Sequence, residues 1–122
     1  LDGDGYDEIV TSSADPAFGG GYITGSNAGP GDYVQLVGGG LIGATAGDFN
    51  GDGAADVVIN TGVGARVYVG KATDAFGCQH NHAMEKPPYY YGVADLDGDG
   101  HLDLFGTNPN QNGVTRLLNA AP

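Results

Sequence analysis

Two nine-residue stretches carry the clearest chemistry in this 122-residue chain: Asp48-Phe49-Asn50-Gly51-Asp52-Gly53-Ala54-Ala55-Asp56 and Asp95-Leu96-Asp97-Gly98-Asp99-Gly100-His101-Leu102-Asp103. Each puts an oxygen-bearing side chain at positions 1, 3, 5 and 9 and a glycine at positions 4 and 6. In a tight turn, alternate side chains can point inward together. A hard cation such as Ca²⁺ takes roughly six to eight oxygens at about 2.3–2.6 Å. The spacing therefore predicts two calcium loops, with ligands Asp48, Asn50, Asp52 and Asp56 in one and Asp95, Asp97, Asp99 and Asp103 in the other. Position 7, Ala54 or His101, is expected to add a backbone carbonyl. A third copy opens the chain as Leu1-Asp2-Gly3-Asp4-Gly5-Tyr6-Asp7-Glu8. Its ligand set would be Asp2, Asp4, Tyr6 through its carbonyl, and Glu8. It lacks a position-1 residue, so this site is expected to be incomplete, or completed by an oxygen from elsewhere.

The charge distribution agrees with that chemistry. The formal net charge is −11, and 11 of the 15 acidic residues fall in these three stretches. Carboxylates so crowded repel one another unless a counter-ion intervenes, so the metal-free chain is expected to be much less stable. An acidic chain of this kind suits neither nucleic acid nor an anionic membrane surface. No apolar run approaches the roughly 20 residues of a membrane helix. With 24 glycines, long helices are not expected either. Millimolar calcium is an extracellular condition, which places the expected protein outside the cell. The single Cys78 excludes an internal disulfide.

The loops recur with a fixed period. Asp2, Asn50 and Asp97 hold the same loop position, 48 and 47 residues apart, and a period of this length marks a repeat architecture. Each loop runs into a short β-like segment: Glu8–Ser12, Asp56–Asn60 and Asp103–Gly106. After a turn comes a second strand, at Gly21–Thr24, Ala65–Val69 and Val114–Leu118. Leu41–Ala46 and Tyr90–Ala94 lead into the second and third loops, and Tyr33–Val37 is a further strand candidate. No segment keeps a helical apolar period, so the expected fold is all-β. The repeats divide the chain into 1–47, with its calcium loop cut short, 48–94, and a partial 95–122. Together these make one domain or a fragment of one. The flanking strands separate these loops from the helical EF-hand, which also needs a glutamate at position 12; Ile59 and Gly106 stand there.

The stretch from Ala46-Gly47-Asp48 through Val57-Val58-Ile59, followed by Arg66-Val67-Tyr68-Val69-Gly70 and Phe76-Gly77, resembles the FG-GAP/VCBS repeats of integrin-like β-propellers. Gly92-Val93-Ala94-Asp95 through Phe105 resembles the same core. The resemblance implies propeller blades whose hairpin loops bind calcium. Six to eight such blades need on the order of 300 residues to close, whereas this chain supplies about two and a half. The resemblance therefore implies an incomplete propeller, with other blades of a parent protein or neighbouring copies of the chain as partners. A chain that starts inside a ligand loop is expected to be a fragment or a processed product.

Cys78, His80, His82 and Met84 alternate, so an extended backbone puts them on one face. Thiolate, imidazole and thioether there could hold copper or zinc; the plainer reading is a polar inter-strand loop with solvated histidines. Tyr89, Tyr90 and Tyr91 follow Pro87-Pro88. By alternation Tyr89 and Tyr91 would share a ligand-binding face, with Tyr90 turned inward. No serine has a histidine near it in sequence for a nucleophilic triad, and no acid pair looks free of the loops. The leading expectation is a non-catalytic, calcium-binding propeller-repeat module, secreted or on the cell surface, that presents a protein- or carbohydrate-binding surface. The alternatives are a self-assembling subunit whose blades neighbouring chains complete, and the scaffold portion of a larger secreted hydrolase or lyase.

Overall fold

Among the described residues, the short β-branched runs and glycine-rich turns form ten strands and no helix. The computed structural model describes residues 6–13, 15, 17, 19–23, 31, 33–37, 43–71, 74–84, 88–107 and 112–119. In chain order the strands are β1 (Ile9–Ser12), β2 (Gly20–Ile23), β3 (Tyr33–Val37), β4 (Gly43–Gly47), β5 (Asp56–Asn60), β6 (Gly64–Lys71), β7 (Asp74–Ala83), β8 (Gly92–Ala94), β9 (Asp103–Thr107) and β10 (Val114–Leu117). They make three antiparallel sheets, ordered β1-β2-β3, β4-β5-β6-β7 and β8-β9-β10, and none of the three is closed. The second and third acidic stretches are the β4–β5 and β8–β9 connections. Each thus sits between a lead-in strand and a core strand, as the sequence predicts.

One strand organises the packing. All five residues of β5 are buried, and its pleat sends neighbours to opposite faces. Val57 and Ile59 join Tyr68 in one apolar cluster, against Val10 of β1, Leu36 of β3, and Ala44 and Ala46 of β4. Val58 joins Ala65 and Leu104 of β9 in a second, against Val93, Tyr91, Met84 and Leu117. The middle sheet is therefore apolar on both faces, with the first sheet on one side and the third on the other. At roughly 1.5–3 kcal/mol for each large apolar side chain removed from water, these two seams dominate the favourable side of folding.

Polar ties fix the sheets in place. The Tyr68 hydroxyl donates to the Leu36 carbonyl at 3.1 Å. Asn60, fully buried at the end of β5, donates through Nδ2 to the carbonyls of Pro88 and Tyr89 and accepts at Oδ1 from Gly62 N–H. A buried amide with these partners satisfies groups that would otherwise be costly to desolvate. Strand β7 departs from the plainer sequence reading of a polar loop. It is ten residues long and pairs with β6 in register, Ala65 opposite His82, Val67 opposite His80 and Val69 opposite Cys78.

Removing Ile59 beyond its Cβ opens a cavity in a seam with 0% exposure. Ile59→Ala is expected to cost about 2–5 kcal/mol, measured by chemical denaturation. A loss under about 1 kcal/mol would mean that the first and second sheets do not pack across this residue.

Candidate metal centre

The two complete loops repeat one hydrogen-bond pattern. In the second loop, Gly51 N–H donates to Asp48 Oδ1 at 2.7 Å and Gly53 N–H to Asp48 Oδ2 at 2.9 Å. In the third loop, Gly98 and Gly100 donate to the two oxygens of Asp95 at 2.7 and 3.0 Å. Position 5 accepts from the position-7 N–H in both, Ala54 to Asp52 at 2.8 Å and His101 to Asp99 at 2.9 Å. Position 3 accepts from the position-5 N–H, Asp52 to Asn50 at 2.9 Å and Asp99 to Asp97 at 3.2 Å. The chain must double back sharply to make these bonds. Gly51, Gly53, Gly98 and Gly100 do so at φ between 75° and 88°. No atom lies within 4 Å of where a Cβ would stand on any of the four. Glycine is there for backbone conformation and not for space.

The carboxylates converge in the third loop. Asp95, Asp97 and Asp99 are exposed, and each offers an oxygen within 4.8 Å of the others. An all-oxygen, triply acidic cluster has the donor chemistry a hard divalent cation requires. The second loop carries Asn50 at position 3, and its Nδ2 donates to Asp52 Oδ2 at 3.1 Å. One negative charge is thus replaced by a donor that also quiets its neighbour.

Position 9 behaves differently from positions 1, 3 and 5. Asp56 and Asp103 are 1% and 0% exposed. Asp56 accepts from Phe49 N–H at 3.0 Å and Gly70 N–H at 2.8 Å. Asp103 accepts from Leu96 N–H and Asn119 N–H, both at 2.8 Å. Each carboxylate ties the second residue of its loop to the chain at the far end of the next strand. Their titrations part nonetheless. Burial pushes the Asp56 carboxyl up, beyond what Gly70 and Phe49 offset, and Asp52 and Asp48 push the same way. The Asp103 carboxyl is drawn down by the Asn119 and Leu96 donors, which outweigh its burial, and Arg116 and His101 assist.

Of the remaining sequence-predicted residues, Asp2 and Asp4 lie outside the described residues, while Tyr6 is exposed and Glu8 half-buried. His80 and His82 are exposed and stand at a cleft of about 490 Å³ between the second and third sheets, walled by Val67, Val69, Leu104 and Leu117. Cys78 is described only as a backbone position in β7. Met84 packs in the second apolar cluster, where its sulfur accepts the Tyr91 hydroxyl at 3.4 Å. Tyr91 is therefore a core residue and not a companion of Tyr89, and burial pushes its phenol up to about 12. Tyr89 and Tyr90 are the exposed pair, at 41% and 70%. Residues 88–91 form a bend, not a strand, so alternation does not hold there. Sequence reasoning overlooked Asn119. Besides holding Asp103, it donates through Nδ2 to the Phe49 carbonyl, and nothing in its local sequence singles it out.

No family model, no curated protein and no solved structure matches the chain.

Opposite shifts give opposite pH signatures in chelator. The stability contributed by ionised Asp103 is present above 3.8 and lost as pH falls through its lower folded value. Ionised Asp56 instead weakens the fold above its raised folded value, and protonating it as pH falls towards 3.8 relieves that cost. Carboxyl-carbon NMR titration should place the Asp56 midpoint above 3.8 and that of Asp103 below it. Coincident midpoints would contradict the contrast.

Proposed function

We propose that this chain is a non-catalytic, calcium-stabilised repeat module of the propeller type, in which the ions are structural and the blade surfaces bind a protein or carbohydrate outside the cell. The observation that carries the reading is the Asp95, Asp97 and Asp99 cluster, set in a loop whose backbone hydrogen bonds recur position for position at Asp48–Asp56. The stacked antiparallel sheets on either side of β5 support the blade-like part of the proposal. The likeness to FG-GAP/VCBS repeats rests on the sequence motifs.

In this reading Asp95, Asp97 and Asp99 hold one ion and Asp48, Asn50 and Asp52 another, with the position-7 carbonyls of His101 and Ala54 as further ligands. A bound cation neutralises the crowded carboxylates and locks the connection that starts β5 or β9. Asp56 and Asp103 retain lone pairs beyond those used by their backbone donors, since a carboxylate offers about four acceptor sites. Turned to the ion, those lone pairs would add position 9 to the ligands; the oxygens that already converge in the third loop are those of Asp95, Asp97 and Asp99. Ligand charge sets calcium affinity, so the triply acidic third loop should bind more tightly than the second. Mg²⁺, which demands a near-octahedral shell at about 2.0–2.1 Å and sheds water reluctantly, should stabilise far less.

A ligand at about 100 times its Kd adds about 2.7 kcal/mol to folding. For a chain of this size that is a rise in Tm of roughly 10 °C. Thermal unfolding in calcium and in chelator should therefore differ by at least that much, with magnesium near the chelator value. Equal melting temperatures in calcium and chelator would remove the basis of the proposal. Asn50→Asp, which restores the missing charge, should tighten the second site several-fold in a calcium titration.

A further inference from the structure

The two complete loops are joined by Asn119 and Leu102, neither of which belongs to a ligand set. Asn119 follows β10, in the third sheet. Its backbone N–H is held by Asp103, the carboxylate that also grips Leu96 of the third loop. Its side chain reaches the other way, to the carbonyl of Phe49 in the second loop. The N–H of that same Phe49 is held by Asp56. One line of hydrogen bonds thus runs from Leu96 through Asp103, Asn119 and Phe49 to Asp56. A second contact is apolar. Leu102, at position 8 of the third loop, lies over Gly47, the residue before Asp48. A methyl placed on Gly47 would stand 2.7 Å from Leu102 Cδ1 and 3.6 Å from the Phe49 ring.

We propose that the second and third loops order as a coupled pair, with the Asn119 side chain and Leu102 transmitting the state of one to the other. Each loop is a two-state element, closed when its position-1 carboxylate holds two glycine N–H groups and open when it does not. Closing the third loop fixes Leu96, Asp103 and Leu102. That fixes Asn119 and leaves its amide aimed at Phe49, so the second loop closes at a smaller entropic cost. Packed side chains and hydrogen bonds that join two such elements can carry coupling between them, and coupling free energy is reciprocal between sites. Where the loops take calcium, which rests on the function proposed above, the same contacts make the two ions bind cooperatively. The closing of the loops does not itself depend on that function.

Amide hydrogen exchange tests this in chelator. Asp95→Ala removes the acceptor for Gly98 and Gly100 and speeds their exchange directly. Coupling predicts that Gly51 and Gly53, in the other loop, also speed up by about 5-fold or more. In an Asn119→Ala background this transferred effect should largely vanish. Unchanged exchange at Gly51 and Gly53, or an equal change with and without the Asn119 side chain, overturns the proposal. Should the Asp95 variant not fold, the unmodified chain titrated with calcium decides. The four glycine amides should follow one cooperative curve that Asn119→Ala splits in two, and separate curves in the unmodified chain contradict coupling. If calcium moves none of the four amides, the calcium reading fails. Asn119→Ala alone then decides in chelator: faster exchange at Gly51 and Gly53 supports the coupling, and unchanged exchange overturns it.

Discussion

The local architecture depends on a buried carboxylate at the ninth position of each complete loop. Asp56 and Asp103 each accept two backbone N–H groups, one from the start of the loop and one from the far end of the next strand or just past it. An ionised group out of water is tolerable only when hydrogen-bonded on this scale. The return is geometric. With its last residue pinned to its second, the loop is a ring, and positions 1, 3 and 5 are left on its rim. Exposed Asp95, Asp97 and Asp99 converge because the buried Asp103 closes the turn beneath them.

The same carboxylates bind the loops to the sheets. Asp56 takes Gly70 of β6 and Asp103 takes Asn119 beyond β10, so a disturbance in a loop is felt where the hairpin ends. Between the sheets, β5 supplies apolar side chains to both faces, and Asn60 closes its far end against Pro88 and Tyr89. Stacking of this kind makes each sheet depend on its neighbour: Val58 of the second sheet and Leu104 of the third share one cluster.

Much of this was legible in the residues because the information is local. The β-branched run Val57-Val58-Ile59, bracketed by Asp56 and Asn60, defines β5 to the residue, and Tyr33–Val37 likewise defines β3. The glycines at positions 4 and 6 announce the tight turn that their positive φ values realise. Strand β7 was obscure because Gln79-His80-Asn81-His82 has no apolar alternation, and residues 80–83 pair with β6 while their side chains stay exposed. Strand alternation does not locate Tyr91, because Pro88 is buried and the bend after it does not keep a period of two. Asn119 was invisible because its partners, Asp103 and Phe49, lie 16 and 70 positions away. Position 9 was recognised as acidic, but its role as a buried anchor depends on strands that pass over it.

Whether the acidic loops are cation sites or merely solvated turns decides the function proposed for this chain. Calorimetric titration of the chelator-stripped chain with calcium tests it most directly. Saturable binding of two ions is expected, falling to one in Asp99→Ala and to one in Asp52→Ala, with the ion left by Asp99→Ala bound more weakly than the ion left by Asp52→Ala. Absence of saturable heat up to millimolar calcium, or binding that survives both substitutions together, would contradict it.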